Sequence, residues 1–171
     1  SCCAKASRKS FGSVRRRGGS FDPGLGFMFI NVHSLGQVFG LTDPASGPVE
    51  AKDVVGTNIQ GGRSGPLSTT RPSGRFREPV SQMPCNKTPW GELVAINVNT
   101  GDIAWKTTLG ITESLGEQGL HTGAPNLGGS IATASGLVFI AATNDRRFRA
   151  FDAKTGKELW TAELDASGNA I

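Results

Sequence analysis

One stretch decides the fold because the chain contains it twice, as LVAINVNTGDIAW at residues 93–105 and as FRAFDAKTGKELW at residues 148–160. The two copies align without a gap, 55 residues apart. Small, turn-forming and aromatic positions coincide in both copies: Ala95 with Ala150, Gly101 with Gly156, and Trp105 with Trp160. Asn97 stands where the second copy has Asp152. Self-similarity at such a spacing is typical of a repeated structural unit.

Each copy has the pattern of two strands joined by a tight turn. LVAINV and FRAFDA alternate in polarity and are rich in β-branched or aromatic residues, as strands are. The turn glycines, Gly101 and Gly156, supply the positive φ that a hairpin turn requires. A tryptophan four residues later is large enough to reach a neighbouring sheet, and the small Ala95 or Ala150 leaves room for that approach.

Two further strand patterns precede the second copy. GSIATA at residues 129–134 and LVFIAA at residues 137–142 flank a Ser-Gly turn. Together with the repeat they predict one complete four-stranded antiparallel blade of a β-propeller over about residues 128–164. The spacing of the repeat is of the size expected for such a blade carrying an insertion.

The first copy belongs to a similar blade that is interrupted. GGSFDP at residues 18–23 and GFMFINV at residues 26–32 are its first two predicted strands, and residues 92–109 hold the other two. A stretch rich in Gly, Pro, Ser and Thr, about residues 35–89, lies between them, and we interpret it as an insertion over one face. The expected fold is therefore all-β: a partial β-propeller of about two four-stranded blades, within a domain over residues 18–171.

Charge is distributed unevenly along the chain. Of the 18 basic residues, six precede Gly18, whereas the first acidic residue is Asp22. Without those six, 12 basic residues face 14 acidic ones, a net charge of −2 over residues 18–171. Residues 1–17 are thus an atypical basic tail, and the folded part lacks the basic face of a nucleic-acid-binding protein. No stretch approaches the roughly 20 apolar residues of a membrane span, and no targeting signal is present.

Several segments carry a resemblance to a known family. PCNKTPWGE at residues 84–92, GITESL at residues 110–115 and the long run from Thr122 to Trp160 resemble quinoprotein glucose and alcohol dehydrogenases, as does GGSFDPGLGFMFINV at residues 18–32. The resemblance covers about residues 18–36 and 84–171 and fails at residues 1–17, where the family has an Asn-Trp stretch. The repeat is similar to the tryptophan-docking motif of that family, which closes eight four-stranded blades in a ring. Its members here are Ala95, Gly101, Trp105, Ala150, Asp152, Gly156 and Trp160.

The resemblance implies a function as well as a fold. Such enzymes oxidise an alcohol or a glucose-type sugar by hydride transfer to pyrroloquinoline quinone (PQQ), and pass the electrons to a quinone acceptor. A calcium ion acts as Lewis acid and an aspartate as base. Because the family's calcium ligands and catalytic aspartate come from earlier blades, no catalytic or metal-binding residue is predicted in this chain. The resemblance places the protein in or facing the periplasm, joined to the remaining blades and inactive without them.

The best local candidate for a cofactor contact is Asn126-Leu127-Gly128. This segment leads into the first strand of a blade, where such propellers bind ligands. An aromatic residue borders the quinone at about the position of Leu127 in methanol-oxidising relatives. A polar contact would therefore come from the backbone N–H of Leu127 or Gly128. The alternative is a tight start of a strand, with the glycine serving only close packing.

Other conspicuous residues have a plainer interpretation. His33 and His121 lack a partner pattern and are predicted on the surface. The Arg146, Arg147 and Arg149 cluster fits a solvated turn better than a site for the cofactor's carboxylates. Asp145 is a predicted turn residue. Cys85 either pairs with a cysteine outside this chain or remains a lone thiol.

Two alternatives to a dehydrogenase remain open at the level of sequence. One is a non-enzymatic propeller scaffold of the outer-membrane assembly type, which shares the tryptophan motif. The other is a nonfunctional gene fragment. The Pro-Trp-Gly and Pro-Asn-Leu-Gly-Gly segments favour the dehydrogenases, because they are not expected of a scaffold.

Overall fold

A computed structural model describes residues 11–12, 18–39, 73–75 and 77–168. The chain divides into two compact units, residues 1–13 with 35–87 and residues 14–34 with 88–171. The first unit thus collects residues from the basic tail and from the predicted insertion. Within the described residues the secondary structure is β except for a kinked 3-10 helix at Glu113–His121, which confirms the all-β expectation.

The first unit contains a small three-stranded antiparallel sheet. Its strands are β1 (Phe11–Gly12), β4 (Gly36–Phe39) and β5 (Ser73–Arg75), in the order β1-β4-β5.

Cys85 is disulfide-bonded, so the interpretation of a lone thiol was wrong. The other two cysteines of the chain, Cys2 and Cys3, lie outside the described residues.

The second unit contains the two predicted blades, each a four-stranded antiparallel sheet. Blade 1 has the order β2-β3-β6-β7, with strands Ser20–Asp22, Phe27–His33, Gly91–Asn97 and Ile103–Thr108. Blade 2 has the order β8-β9-β10-β11, with strands Ser130–Ala132, Leu137–Ile140, Arg147–Asp152 and Glu158–Glu163. The meander order and the strand count confirm the partial propeller.

The two copies of the repeat have the same cross-strand pairing. Ala95 pairs with Trp105 in blade 1, and Ala150 pairs with Trp160 in blade 2. Both sheets are bulged at the same place, directly after the alanine. The turn glycines, Gly101 and Gly156, have φ values of 80° and 72°, in the left-handed region that favours glycine.

The core lies between the blades, where one cross-strand row of each sheet faces the other blade and the middle residues of both rows are buried. The docking row of blade 1 consists of Ser20, Phe29, Ala95 and Trp105, each paired with the next. The receiving row of blade 2 consists of Ala132, Val138, Phe151 and Glu158. Apolar members of both rows form one buried cluster. Alternation along each strand explains this, because every second side chain points to the same face.

Candidate functional site

Antiparallel order brings the predicted cofactor segment and the Arg-rich turn to one end of the two blades. Blade 1 ends strand β3 there with His33, and blade 2 begins strand β10 there with Arg147. The segment from Leu109 to Gly129 connects the blades at this end and contains the 3-10 helix. We call it the site end.

Asn126 joins the two blades. Its side chain is 3% exposed, and its Nδ2 donates to the carbonyl of Val32 at 2.9 Å. Its Oδ1 accepts from Nδ2 of Asn31, also at 2.9 Å. The backbone carbonyl lies 3.2 Å from Nδ1 of His33, and the residue forms a β-bridge with Thr143 of blade 2. The amide therefore has protein partners on both sides, and its bonds hold blade 1 to the start of blade 2.

Leu127 and Gly128 lead from this junction into strand β8. The N–H of Leu127 donates to the carbonyl of Ala142 at 2.7 Å, so this predicted donor already has a partner within the protein. The Leu127 side chain is only partly buried. Gly128 is buried at a φ of 147°. The segment thus offers a bound ligand the partly exposed side chain of Leu127. Cofactor contact by these three residues stays a prediction.

Asp145 and Arg149 form a buried ion pair at the same end, with side chains 1% and 3% exposed. Thr143 donates its hydroxyl to Asp145 at 2.5 Å and accepts from Arg149 at 3.0 Å. The other carboxylate oxygen accepts the N–H of Ile111 at 2.9 Å, which fastens the connecting segment to blade 2. Burial opposes ionisation, but the hydrogen bonds from Arg149 and Thr143 outweigh it and hold the pKa of Asp145 below its usual value.

This pair corrects the prediction of a solvated arginine cluster. Arg149 lies on the face of Phe151, which is fully buried, because the two are separated by one residue of a strand. In the ungapped repeat Arg149 aligns with Val94, which is also buried. That alignment was the signal in the sequence. The prediction holds for Arg146, which is exposed and lies 3.4 Å from Glu163.

Arg147 and the two histidines complete the site end. Arg147 donates to Glu113 at 2.6 Å, which ties the 3-10 helix to blade 2, and this bond raises the pKa of the guanidinium. His121 is exposed, as predicted. His33 is buried, so its predicted surface position was wrong. Alternation from Phe29 through Asn31 places His33 on the face that blade 2 covers.

Trp105 also joins the two blades. It lies on β7, the edge strand of blade 1, whereas Asn126 contacts strand β3. Its indole Nε1 donates to the carbonyl of Ala153 at 3.0 Å. Its ring lies on Gly156, where the Cβ of any other residue would come within 2.4 Å of the ring. Phe29 supports the indole from its own blade, with ring centroids 5.8 Å apart. The tryptophan of one blade is thus received by the turn of the next.

Two absences concern only the described part of the chain. No three His, Cys, Asp or Glu side chains come together there as metal ligands. No helix within these residues is long and apolar enough to cross a membrane.

Two consecutive four-stranded blades, joined by an indole of one and a turn of the other, define a segment of a tryptophan-docked β-propeller. Residues 6–171 match the family described as "Glucose/ethanol/alcohol dehydrogenase, beta-propeller domain", which uses PQQ. The chain therefore belongs to the PQQ-dependent dehydrogenase family. The matched range includes residues 6–17 and the predicted insertion, so the expectation that the resemblance fails at residues 1–17 was wrong for residues 6–17.

Relatives agree with this assignment. The chain is 34% identical over 155 residues to the quinate/shikimate dehydrogenase (quinone) of Acinetobacter baylyi, covering 85% of this chain and 19% of that protein. It is 31% identical over 162 residues to the quinoprotein glucose dehydrogenase of Escherichia coli, covering 88% and 20%. The chain thus spans about a fifth of the length of these relatives.

Solved structures support the fold. The quinohemoprotein alcohol dehydrogenase of Comamonas testosteroni superposes with a TM-score of 0.54 at 23% identity, covering 90% of this chain and 19% of that one. A europium-containing methanol dehydrogenase gives a TM-score of 0.56 at 17% identity, covering 89% and 20%.

Proposed function

We propose that the chain forms two blades of a PQQ-dependent dehydrogenase that oxidises a glucose-type sugar or an alcohol and delivers the electrons to a quinone. The family match over residues 6–171 carries this proposal. The remaining blades of the propeller are its partners, and the periplasm or its membrane face is its location. The chain alone is inactive, because it supplies only part of a site whose groups must meet at close range.

The part that we assign to this chain is one side of the cofactor site. When bound, PQQ supplies the hydride acceptor, while the protein orients it and excludes water. Leu127 would pack against the cofactor, since its side chain is partly exposed and its backbone is held by Ala142. Asn126 holds that backbone against blade 1 through both atoms of its amide. Its role is to position the segment.

Calcium and the catalytic base are assigned to other blades. The described residues offer no cluster of three carboxylates or histidines for a metal. Asp145 does not suit the role of a base, because its lowered pKa and its bonds to Arg149, Thr143 and Ile111 leave it a poor proton acceptor. We expect the calcium ligands and the base to come from elsewhere in the propeller.

A chimera tests the proposal. Residues 88–168 of this chain would replace the matching segment of the Escherichia coli quinoprotein glucose dehydrogenase, of which the whole chain covers 20%. We expect the chimera to retain PQQ and to reduce dye with glucose. Leu127→Asp should weaken PQQ retention by about tenfold or more, because it places a negative charge beside a carboxylated cofactor. The purified 171-residue chain should show no turnover with PQQ and calcium supplied.

A matched control separates cofactor contact from folding. Asn144→Asp adds the same charge at an exposed position of the neighbouring turn and should leave retention unchanged. Melting without PQQ should be the same for both variants. A chimera that melts cooperatively but binds no PQQ would contradict the proposal and support the scaffold alternative. If Leu127→Asp and its control retained PQQ equally, the cofactor contact would lie outside this segment.

A further inference from the structure

Three stretches of backbone cross at the site end, just before the predicted cofactor segment. Strand β6 begins there with Gly91, and the connecting segment passes it twice, at Leu109 and at Ala124. The N–H of Leu109 donates to the carbonyl of Gly91, and the N–H of Ala124 donates to the carbonyl of Leu109, both at 2.9 Å. The N–H of Trp90 donates to the carbonyl of Thr122 at 2.6 Å. Blade 1 is thus bonded directly to the backbone that leads into the cofactor segment.

Gly91 and Gly123 permit this crossing because neither carries a Cβ. A Cβ added at Gly91 would overlap the carbonyl oxygen of Ala124 and lie 2.7 Å from that of Leu109. A Cβ added at Gly123 would lie 2.5 Å from both the nitrogen and the oxygen of Gly91, and the φ of 66° at Gly123 also favours glycine. All four residues are buried, and the atoms in contact belong to the backbone. No side chain could therefore turn aside to relieve such an overlap.

A side chain at Gly91 would displace the connecting segment rather than strand β6. The strand is paired along its whole length with β3, from Gly91 with His33 to Asn97 with Phe27. Its other edge pairs with β7. Residues 122–125 belong to no strand, so fewer bonds resist their movement. Non-bonded carbon and oxygen atoms normally stay about 3.5 Å apart, so the segment would have to shift by about 1 Å.

We propose that Gly91 is a positioning residue for the cofactor. It lets Ala124 lie directly against strand β6, and Ala124 fixes the backbone three residues before Leu127. Leu127 is then held by the bond from its N–H to the carbonyl of Ala142, at 2.7 Å. Gly91 acts through this backbone and does not touch the cofactor, but a misplacement of about 1 Å can cost an enzyme about 100-fold in rate. The inference rests on the cofactor contact proposed for Leu127.

The first measurement needs no cofactor and uses amide hydrogen exchange of the 171-residue chain, followed by nuclear magnetic resonance. In Gly91→Ala the N–H of Leu127 should exchange at least about tenfold faster, because its bond to Ala142 is displaced. The N–H of Asp152, which donates to the Lys157 carbonyl at 2.9 Å at the other end of blade 2, should keep its rate. An unchanged rate at Leu127, or equal acceleration at both amides, would overturn the proposal.

The second measurement is the rate at which the chimera with residues 88–168 releases PQQ. Gly91→Ala should release PQQ at least about tenfold faster than the unsubstituted chimera. Gly156→Ala is the matched control, because it also crowds a buried glycine, here under the ring of Trp105, but at the other end of the blades. It should lower the melting temperature and leave the release rate unchanged. If both variants released PQQ in proportion to their loss of melting temperature, Gly91 would have a structural role only.

A second variant keeps the test decisive where Gly91→Ala does not fold. Gly110→Ala presses on the same residue, since its Cβ would lie 2.6 Å from the Cβ of Ala124. Adding Ala124→Gly removes that contact and should restore much of the slow exchange at Leu127, and a failure to restore it would overturn the proposal. A chimera that folds but never retains PQQ contradicts the proposed function instead, and the exchange rates alone then decide whether Gly91 positions Leu127.

Discussion

Replacing each of the two equivalent tryptophans by alanine should have very different consequences for folding. Trp105 contacts the Ala153 carbonyl and Gly156 across the junction, and Phe29 within its own blade. Trp160 has the same register but is half exposed, with Phe148 as its aromatic neighbour. The repeat makes the pair its own control, because both substitutions remove the same side chain from the same strand position.

The expected loss of unfolding free energy follows from these contacts. A buried Trp→Ala change costs about 3–5 kcal/mol, and the partial exposure of Trp105 places it at the lower end, near 3 kcal/mol. Of this, roughly 1 kcal/mol belongs to the indole hydrogen bond, which Trp105→Phe should remove selectively. Trp160→Ala removes little more than one edge-to-face aromatic contact, so it should lower the free energy of unfolding by about 1 kcal/mol or less.

The assay is equilibrium unfolding in urea followed by far-ultraviolet circular dichroism, since fluorescence would lose its reporter. Each variant is unfolded at several protein concentrations, so that any association of copies is separated from the stability of the chain. Equal costs for the two alanine variants would refute the reasoning. A cost for Trp105→Ala below about 1 kcal/mol would show that the blades fold independently.

Three further outcomes are expected. Gly156→Ala should destabilise more than Gly101→Ala in urea unfolding, because both need a positive φ but only Gly156 lies under an indole. Asn126→Ala should cost about 2 kcal/mol or more, by leaving buried partners unsatisfied, whereas Asn144→Ala should be nearly neutral. The lowered pKa of Asp145 means that its ionised form stabilises the fold above the unfolded value of about 3.9, and that this contribution is lost as pH falls from there through the folded pKa. The Asp145→Asn variant should be less stable near pH 7, and the difference should shrink on acidification; a constant difference across pH would contradict this account.

The blades could be predicted from the sequence because their information is local. Strand alternation, a turn glycine and a tryptophan at a set distance are all contained within 13 residues, and the second copy repeats them. The same alternation, followed one step further along strand β3, places His33 inside. Its residue type points the other way, because a histidine without a partner pattern is more often found at the surface.

The ion pair of Asp145 and Arg149 was missed for another reason. Turn composition predicts solvation, and three arginines in four residues fit that expectation. Burial of Arg149 depends on Thr143, on the carboxylate and on the N–H of Ile111, which lies 34 residues from Asp145. The sequence contains each of these residues, but it does not show that they come together in the fold.

Asn126 shows that a family resemblance can indicate a functional segment without indicating the contacts of each residue in it. The resemblance predicts a cofactor contact at this residue, yet its two amide bonds go to Asn31 and Val32, 95 and 94 residues away in the chain. An amide with both ends committed to a blade junction has little capacity left for a ligand. Its effect on a cofactor is then indirect: it sets where Leu127 and Gly128 stand. We therefore expect the blade contact to rest on Asn126 and the proposed cofactor contact to rest on Leu127.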